Sequence, residues 1–415
     1  MAMPKPTSVC RAIGRNHPWP MVRLGDVCEI NLGKTPPRGN ARFWDKGRRD
    51  GYKWLSIADL ANTQGGSVFD SKEYISKAAV EEVGVPVVLA GTFLLSFKLT
   101  LGRTAIAGCD LYTNEAIAAM PVKPAFQGSV DLQFLNLYCR FFDWEDFAAK
   151  DEKVLGKTLN KKKLAEVPLP LPPLSIQREV VARLERELAA VEKMKKGFET
   201  IAETAKAEFK AELNEVFEEI SRGGAETRRL GEVCDVRDGT HDTPVKCDKG
   251  YLLLTSKNVR NGKVDKANAY YISASDYTSI NKRSGVDRWD VLFSMIGTVG
   301  ETAIVDKTPD FAIKNMGLFK THANELLARW IKYYFDSQLA KQLILGRMKG
   351  SNQKFLSLGT LREFPLTLTN RDSMIRLVAR LDGAKAKAEK LESKAREGVA
   401  VCETMRKAIL KEAFE

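Results

Sequence analysis

The side chains in this chain that are best suited to chemistry are basic, amide and hydroxyl groups gathered in polar loop segments. Residues 35–44 combine arginine and asparagine with proline and aromatic residues, and residues 237–244 occupy the equivalent place in the second half. Arginine, asparagine and glutamine can form paired hydrogen bonds with the edge of one base, and lysine and arginine contact phosphates. The candidate DNA-contacting residues are Arg38, Asn40, Arg42, Arg48, Arg49, Lys157, Lys161, Lys162, Arg237, Thr240, His241, Lys257, Asn258, Arg260, Lys349, Ser351, Asn352, Gln353 and Lys354.

Any one of these residues, taken alone, is more simply explained as a solvated loop charge. The recurrence of the same composition in several loops favours contact with nucleic acid. The charge of the whole chain points the same way, because 65 Lys+Arg against 53 Asp+Glu give a net charge of +12. Such an excess predicts an anionic partner, which can be nucleic acid, an anionic membrane surface or an acidic protein.

Sequence signals for catalysis are weak. A phosphate-binding loop of the form GxxxxGK[ST] would need glycine at positions that hold Cys28 and Asp151. The tetrapeptide Asn-Pro-Pro-aromatic or Asp-Pro-Pro-aromatic, which holds a flipped adenine in amino-methyltransferases, is absent from the sequence. The chain is therefore expected to have no catalytic residues of its own, although a carboxylate cluster of the nuclease type stays open.

Histidine and cysteine spacing does not indicate a metal site. His17, His241 and His322 are far apart, and the seven cysteines show no CxxC spacing. We interpret the cysteines as buried thiols in a reducing compartment. No apolar run reaches the roughly 18 residues of a transmembrane helix. The sequence thus predicts a cytoplasmic protein without a membrane partner and without a metal.

An internal repeat organises the elements that must position these side chains. The tetrapeptide at residues 181–184 returns at residues 378–381, residues 164–169 resemble residues 361–366, and Phe217 corresponds to Phe414. The segment 23–28 is likewise similar to the segment 229–234. The chain is thus one scaffold used twice with different loops.

The repeat and the composition divide the chain into five segments. Short β-rich runs separated by Gly, Pro and Asn turns, each set followed by a helical pattern near 132–147 or 326–345, predict two mixed α+β domains. The predicted segments are a flexible lead-in at 1–19, a first domain at 20–173, a long helix at 174–222, a second domain at 223–370 and a second long helix at 371–415.

Each long helix carries an apolar stripe near 3.5-residue spacing, with Ser175 and Ser373 as the expected N-caps. A helix of roughly 44 residues is about 66 Å long, which is longer than a domain of this size is wide. The economical solution is an antiparallel coiled coil that joins two pseudo-twofold-related domains; two amphipathic helices docked on their own domains are the alternative. The predicted seam residues are Val181, Leu184, Leu188, Val191, Val378, Leu381, Leu391 and Met405.

This layout resembles the specificity subunit of type I restriction-modification systems. The resemblance rests on residues 19–28 and on the proline-rich segment 167–174, which leads into residues 177–184 at the start of a long helix, all repeated in the second half. The second repeat departs from the pattern, because residues 367–370 lack the second proline cluster and residues 374–376 replace Ile176-Gln177-Arg178. The resemblance covers nearly the whole chain.

The resemblance implies two target-recognition domains, each of which reads one half of a split double-stranded DNA sequence. It also implies helices that set the gap between the halves and recruit two methyltransferase subunits, with restriction subunits joining the complete complex. S-adenosylmethionine is then expected on the methyltransferase partner and ATP with Mg on the restriction partner, and no cofactor is expected on this chain. Two other interpretations stay open: a duplicated coiled-coil adaptor that binds proteins, and an enzyme that acts alone on nucleic acid.

Overall fold

The computed structural model describes residues 19–63, 65–149, 159–350 and 354–414. Most of the predicted lead-in, together with Lys157, Ser351, Asn352 and Gln353, lies outside the described residues. The chain forms two compact units, Met1–Lys196 with Ala400–Glu415, and Gly197–Val399. Both boundaries cut through a long helix, whereas the sequence-based segments keep each helix whole.

Unit 1 contains two mixed sheets and a small antiparallel strand pair. Its strands are β1 (Met21–Arg23), β2 (Asn31–Leu32), β3 (Tyr52–Leu55), β4 (Ser67–Val68), β5 (Glu73–Ile75), β6 (Val87–Val88), β7 (Phe93–Ser96), β8 (Thr104–Ala107), β9 (Leu111–Thr113), β10 (Ile117–Met120) and β11 (Pro168–Pro170). Its helices are α1 (Leu24–Val27), α2 (Ile57–Thr63), α3 (Lys77–Glu81), α4 (Leu132–Phe141), α5 (Trp144–Ala149), α6 (Lys161–Ala165) and the start of α7 (Leu174–Arg222). The sheet orders are β2-β10-β7-β8-β4, β5-β3-β9-β6 and β1-β11.

Unit 2 repeats this plan. Its strands are β12 (Glu226–Arg229), β13 (Asp235–Asp238), β14 (Tyr251–Thr255), β15 (Val259–Arg260), β16 (Lys263–Val264), β17 (Tyr270–Ile272), β18 (Val291–Ser294), β19 (Thr302–Ile304), β20 (Phe311–Lys314), β21 (Met316–Lys320) and β22 (Pro365–Leu368). Its helices are α8 (Leu230–Val233), α9 (Ala274–Ser284), α10 (Glu325–Asp336), α11 (Gln338–Arg347), α12 (Leu358–Arg362) and most of α13 (Arg371–Phe414). The sheet orders are β13-β21-β18-β19, β17-β14-β20, β12-β22 and β15-β16.

The repeat is visible in strand pairing as well as in sequence. In unit 1, β3 runs parallel to β9 and antiparallel to β5; in unit 2, β14 runs parallel to β20 and antiparallel to β17. The strand before α1 pairs with β11 through Val22 and Leu169, and β12 pairs with β22 in the same way. The predicted α+β class and the duplication are confirmed.

Each unit buries two main apolar layers. One lies between its two sheets, where β7 and β18 are buried along their whole length, as expected for strands covered on both faces. The other joins the larger sheet and the paired helices to the long helices. In unit 1 this second cluster includes Leu135, Leu184 and Leu410. The core thus fixes the long helices to the domain beside them.

Two of the predicted helices are in fact helix pairs. The helix expected at 132–147 ends at Phe141, and Asp143 accepts a hydrogen bond from the backbone N–H of Asp146 at 2.9 Å at the start of α5. The helix expected at 326–345 breaks at Ser337, whose hydroxyl caps α11. Periodicity continues through such breaks, and therefore it does not reveal them.

Within each unit the segments of the two long helices pack antiparallel. In unit 1, Lys195 forms an ion pair with Glu403 at 2.5 Å. In unit 2, Lys206 pairs with Glu392 at 3.5 Å, while Arg380 contacts Glu215 at 3.1 Å. In unit 2 the α13 partner falls from residue 392 to residue 380 as the α7 residue rises from 206 to 215, which defines the antiparallel direction.

Most of the predicted seam residues are buried or half-buried, and three expectations about the helices need correction. Met405 is 40 % exposed, whereas Cys402, one turn earlier in the same stripe, is 2 % exposed. Ser373 is not an N-cap: its N–H donates to Asn370 Oδ1 at 2.9 Å, so Asn370 caps α13. Ser175 lies inside the first turn of α7, which begins at Leu174.

The cysteines also differ in part from expectation. Of the six described, four are buried and two, Cys109 and Cys247, are only half-buried. Burial raises the pKa of Cys28 to about 12, and that of Cys234 to about 12 as well. In the part of the chain that the structure describes, every helix is too short or too polar to cross a lipid bilayer.

Candidate nucleic-acid interface

Two equivalent loops carry most of the sequence candidates. Loop A is residues 33–51, between β2 and β3, and loop B is residues 239–250, between β13 and β14. Both loops begin at a glycine pressed against the end of a parallel strand. A Cβ at Gly33 would lie 2.1 Å from the carbonyl oxygen of Thr113, and one at Gly239 would lie 2.4 Å from that of Ile313. Only glycine allows this approach, so the two loops share one anchor.

The backbone next to each glycine continues the anchor. Lys34 N donates to Thr113 O at 2.9 Å, and Thr240 N donates to Ile313 O at 3.0 Å. The hydroxyl of Thr35 donates to Glu115, and Nδ1 of His241 lies 2.9 Å from Asn315 Oδ1. The anchors are alike, but the side chains that they present differ.

One carboxylate, that of Asp45, orders the second half of loop A. Asp45 accepts hydrogen bonds from the backbone N–H groups of Gly47, Arg49, Asp50 and Gly51 at 2.8–3.1 Å. Desolvation opposes ionisation, but these four donors outweigh it and lower the pKa of Asp45. The loop therefore has a defined conformation before any ligand binds.

Arg38 is part of the framework of loop A. Its guanidinium lies 4.2 Å from the ring centre of Trp44 and 4.8 Å from that of Trp54, and it pairs with Glu73, with Nη2 at 3.1 Å from Oε2. The two indoles meet edge to face at 5.0 Å. Breaking these contacts would cost packing as well as charge, because the guanidinium lies against both rings.

Arg42 and Arg48 are also paired with acids. Arg42 binds Glu82, and Arg48 binds Asp70 while it lies 4.8 Å from the ring centre of Tyr74. Hydrogen bonds from Tyr74, Arg48 and the backbone N–H of Ser71 hold the pKa of Asp70 at about 2. Asn40 Oδ1 accepts from the Arg42 backbone N–H at 3.0 Å. These three sequence candidates thus have partners in the fold.

Arg49 differs from the other loop A arginines. It is exposed, and its side chain makes no ion pair with the described residues. Beside this loop lies a cleft of about 380 Å³ that Trp44, Lys46, Lys72 and Tyr74 line in part. The two lysines are exposed and were not among the sequence candidates. The position of Lys46 within the same polar loop is the signal that could have identified it.

Loop B is organised around a buried acid. Asp238, which is 4 % exposed, binds Arg283 through one oxygen and lies 2.8 Å from His241 Nε2 through the other. Arg237 forms an ion pair with Asp235 at 2.6 Å and donates to the Arg283 carbonyl at 3.2 Å. The structure therefore places His241 and Arg283 on Asp238, whereas Arg237 reaches this site only through the Arg283 carbonyl. Thr240 lies beside them on the strand-end bridge to Lys314.

The side-chain amide of Asn258 forms its hydrogen bonds within the protein. It is 4 % exposed, accepts from Thr255 N at 2.9 Å, and donates to the carbonyls of Asp265 and Ala267 at 2.9 and 3.2 Å. Asp59 accepts from Ser56 N at 2.8 Å after the equivalent strand in unit 1. We therefore exclude Asn258 from the interface, since its amide has no capacity left for a base. Lys257 and Arg260 next to it are exposed, and Arg260 Nε donates to the Lys257 carbonyl at 2.8 Å.

The remaining described candidates lie near α6 and α12. Lys161 and Lys162 are exposed and border a cleft of about 650 Å³ with Lys123. Lys349 borders a cleft of about 480 Å³ beside Arg347, and its backbone pairs with that of Phe355 at 3.0 Å. Lys354 is exposed nearby in the chain. Each unit thus has exposed lysines close to its short helix α6 or α12.

The most deeply buried charges have a structural role. Lys320, 4 % exposed, donates to Gly285 O, Asp287 and Asp290 at 2.8, 2.5 and 2.6 Å. Burial raises the pKa of Asp290, although Lys320 and backbone donors oppose the shift. No cluster of three or more metal-ligating side chains occurs among the described residues.

Comparison with known proteins adds a decisive observation. The sequence profile of the type I restriction modification DNA specificity domain matches residues 16–198 and, a second time, residues 223–371. The chain belongs to this family. Its two copies correspond to the two repeats that the sequence and the strand pairing show independently.

Two curated relatives in this family align with part of the chain. The type I restriction enzyme MjaIX specificity subunit of Methanocaldococcus jannaschii is 25% identical over 240 residues, which are 54% of this chain and 53% of that protein. The type I restriction enzyme EcoKI specificity subunit of Escherichia coli is 23% identical over 294 residues, 62% of this chain and 60% of that protein. The chain thus spans little more than half the length of the curated relatives it matches.

Solved structures share the fold over almost the full length. A chain from a study of complex assembly and conformational transition of the type I R-M system superposes with a TM-score of 0.70 at 20% identity, covering 96% of this chain and 97% of that chain. The HsdS subunit of Thermoanaerobacter tengcongensis gives a TM-score of 0.54 at 19% identity, covering 95% and 96%. At these identities the likeness describes the fold.

Proposed function

We propose that this chain is the DNA-specificity subunit of a type I restriction-modification enzyme and that each repeat reads one half of a bipartite, asymmetric target in double-stranded DNA. One observation carries the proposal: loops A and B begin on the same glycine anchor and yet carry different side chains. A shared anchor brings each loop to an equivalent place in its domain. Different side chains let the two halves of the target differ.

Affinity for DNA and specificity for its sequence depend on different side chains. Exposed cations such as Arg49, Lys161 and Lys257 are suited to phosphates, and their contribution falls as salt rises. Reading of bases needs directed hydrogen bonds, each well-formed pair being worth about 1–3 kcal/mol of discrimination. Arg38 and Arg48, which pair with Glu73 and Asp70 and also lie against aromatic rings, keep loop A in shape, so they act on recognition through the loop conformation.

Chemistry is assigned to partner subunits. In this proposal the chain is not an enzyme; two methyltransferase subunits bring S-adenosylmethionine, and restriction subunits bring ATP and Mg. The paired long helices set the gap between half-sites and dock the methyltransferase subunits. The expected location is the cytoplasm, where chromosomal DNA of a restriction-modification host lies.

Methylation mapping tests the proposal. The full chain is expressed with its cognate methyltransferase subunits in a host without other modification, and genomic DNA is sequenced for methylated bases. We expect a single split motif that disappears when the chain is omitted, together with salt-dependent DNA retention by the complex. Methylation that persists without the chain would contradict the proposal. Salt-insensitive protein capture without DNA retention would instead favour a duplicated coiled-coil adaptor.

A further inference from the structure

We propose that Gln177 and Asp382 are positioning residues, each of which fixes the orientation of one recognition domain on the long helix that follows it. The inference rests on the proposed function, because orientation matters only if each domain reads DNA. Each residue lies on a long helix and forms hydrogen bonds to the domain that precedes this helix in the sequence, within a single unit. We call each such set of hydrogen bonds a polar clamp.

The Gln177 clamp lies at the first turn of α7. The side chain is 0 % exposed and uses both ends of its amide: Oε1 accepts from Asp131 N at 2.8 Å, and Nε2 donates to Ser129 O at 2.9 Å and Pro172 O at 2.7 Å. Asp131 also caps α4, accepting from Gln133 N at 2.9 Å and Phe134 N at 3.1 Å. One side chain of α7 is therefore tied to the loop that starts the main helix of domain 1.

The Asp382 clamp lies on α13 in unit 2. Its carboxylate accepts from Arg329 Nη1 at 2.7 Å and from the hydroxyl of Tyr333, both on α10. Arg329 is held from its other side by Glu325. Burial of Tyr333, together with the adjacent carboxylate of Asp382, raises the pKa of the phenol, so the hydroxyl remains a donor at neutral pH.

The clamps are not shared between the repeats. The register that matches residues 181–184 with 378–381 places Met374 opposite Gln177 and Glu185 opposite Asp382, and Glu185 is exposed. Contacts that the repeats do share serve packing: Tyr138 donates to Pro168 O at 2.6 Å, and Tyr334 donates to Pro365 O at 2.8 Å. Each domain thus has its own polar clamp in addition to the common packing.

A polar clamp restrains the orientation of a domain on its helix more tightly than an apolar contact does. Hydrogen bonds have preferred directions and weaken steeply when the donor angle falls, whereas dispersion contacts tolerate sliding and rotation. Loss of a clamp would leave the loops intact but allow the domain to tilt on its helix. The half-site sequence would then stay the same, while a wider range of gaps between half-sites would be accepted.

The test uses the full chain in complex with its cognate methyltransferase subunits. Wild-type methylation mapping first defines the two half-sites and the preferred gap. The probe is a plasmid library in which these half-sites are separated by the preferred gap or by gaps one or two base pairs shorter or longer. Four variants are compared: Gln177→Met, which installs the side chain of the other repeat, Asp382→Asn, and the matched controls Tyr138→Phe and Tyr334→Phe.

For Gln177→Met and for Asp382→Asn we expect the preference for the correct gap to fall about tenfold, a factor that corresponds to about 1.4 kcal/mol, with both half-sites unchanged. Each control also loses a buried hydrogen bond in the same unit, and we expect it to lower the unfolding temperature without relaxing the gap. Wild-type gap selectivity in both clamp variants would overturn the inference, as would equal relaxation in the controls. Absence of any split motif with the wild-type chain would instead overturn the proposed function, and the inference with it.

Discussion

Phe217, near the end of α7, packs edge to face against Tyr334 with ring centroids 5.4 Å apart. In unit 1, Phe414 packs against Tyr138 in the same manner at 5.5 Å. The two phenylalanines are repeat-equivalent, so each domain holds the final turns of a long helix that begins after the other domain in the sequence. Aromatic contact of this kind fastens the end of each helix into a domain core.

The first prediction concerns these helix ends. Phe217→Ala or Phe414→Ala removes a buried ring, and we expect a loss of about 3–5 kcal/mol in the free energy of unfolding. Met405→Ala, at a site that is 40 % exposed, serves as the control and should cost much less. Urea denaturation followed by circular dichroism measures the difference. Equal losses at positions 405 and 414 would contradict the packing described.

The second prediction separates framework arginines from contact arginines in loop A. Arg49→Ala should lower the DNA affinity of the complex by about tenfold and should reduce the slope of log affinity against log salt by about 1 if the contact is to phosphate. Arg42→Ala removes an exposed ion pair, which is worth about 0–1 kcal/mol, and should change affinity little. Binding titrations at two salt concentrations make the comparison. A larger effect at position 42 than at position 49 would reverse this assignment.

The third prediction concerns the thiols. At neutral pH a thiol reagent should label Cys109 and Cys247 in the folded protein, and should reach the four buried cysteines only after unfolding. A Cys10→Ser variant keeps the residue outside the described ranges from adding signal. Rapid labelling of Cys28 or Cys234 in the native state would disagree with their burial.

The buried thiols of Cys28 and Cys234 make the stability of the fold depend on pH. Burial raises the pKa of Cys28 and Cys234 from 9.0 to about 12 in the folded protein. Their contribution to stability is therefore fully present below pH 9 and is lost as the pH rises toward 12, because the unfolded chain releases these protons first. Denaturation at alkaline pH should show a shallower decline in the Cys28→Ala, Cys234→Ala double variant, compared with wild type.

The fourth prediction concerns helix length. Four residues inserted into α7 near Lys196 add about 6 Å of helix, and we expect the preferred gap to grow by about one or two base pairs at ~3.4 Å each, with both half-sites unchanged. Replacement of residues 193–196 by the same four residues, without a change of length, is the control. An unchanged gap after insertion would contradict a spacer role for α7.

Sequence alone was sufficient for the features that repeat or are periodic. The tetrapeptides at 181–184 and 378–381 locate both long helices, and the apolar stripe predicts their pairing, because periodicity is a local property of the chain. The helix breaks before Trp144 and at Ser337 were missed, since the apolar pattern continues through them. Met405 continues the apolar stripe in sequence, but periodicity does not show how far along a helix the stripe stays covered, and its side chain is 40 % exposed.

The site was harder to predict, because the role of a side chain depends on distant partners. Arg38, Arg42 and Arg48 match the composition of a DNA-reading loop, but Glu73, Glu82 and Asp70 lie far along the chain and pair with them only in the fold. Asn258 resembles a base reader until its hydrogen bonds within the protein are known. Gln177 and Asp382 lie on helices that look purely structural in sequence.

The most direct test of the central claim is methylation mapping after exchange of residues 228–365 for the corresponding segment of a family member with a different target. The account predicts that one half of the split motif changes to that of the donor, while the other half remains that of the wild-type chain. A change in both halves, or in neither, would contradict independent reading by the two repeats.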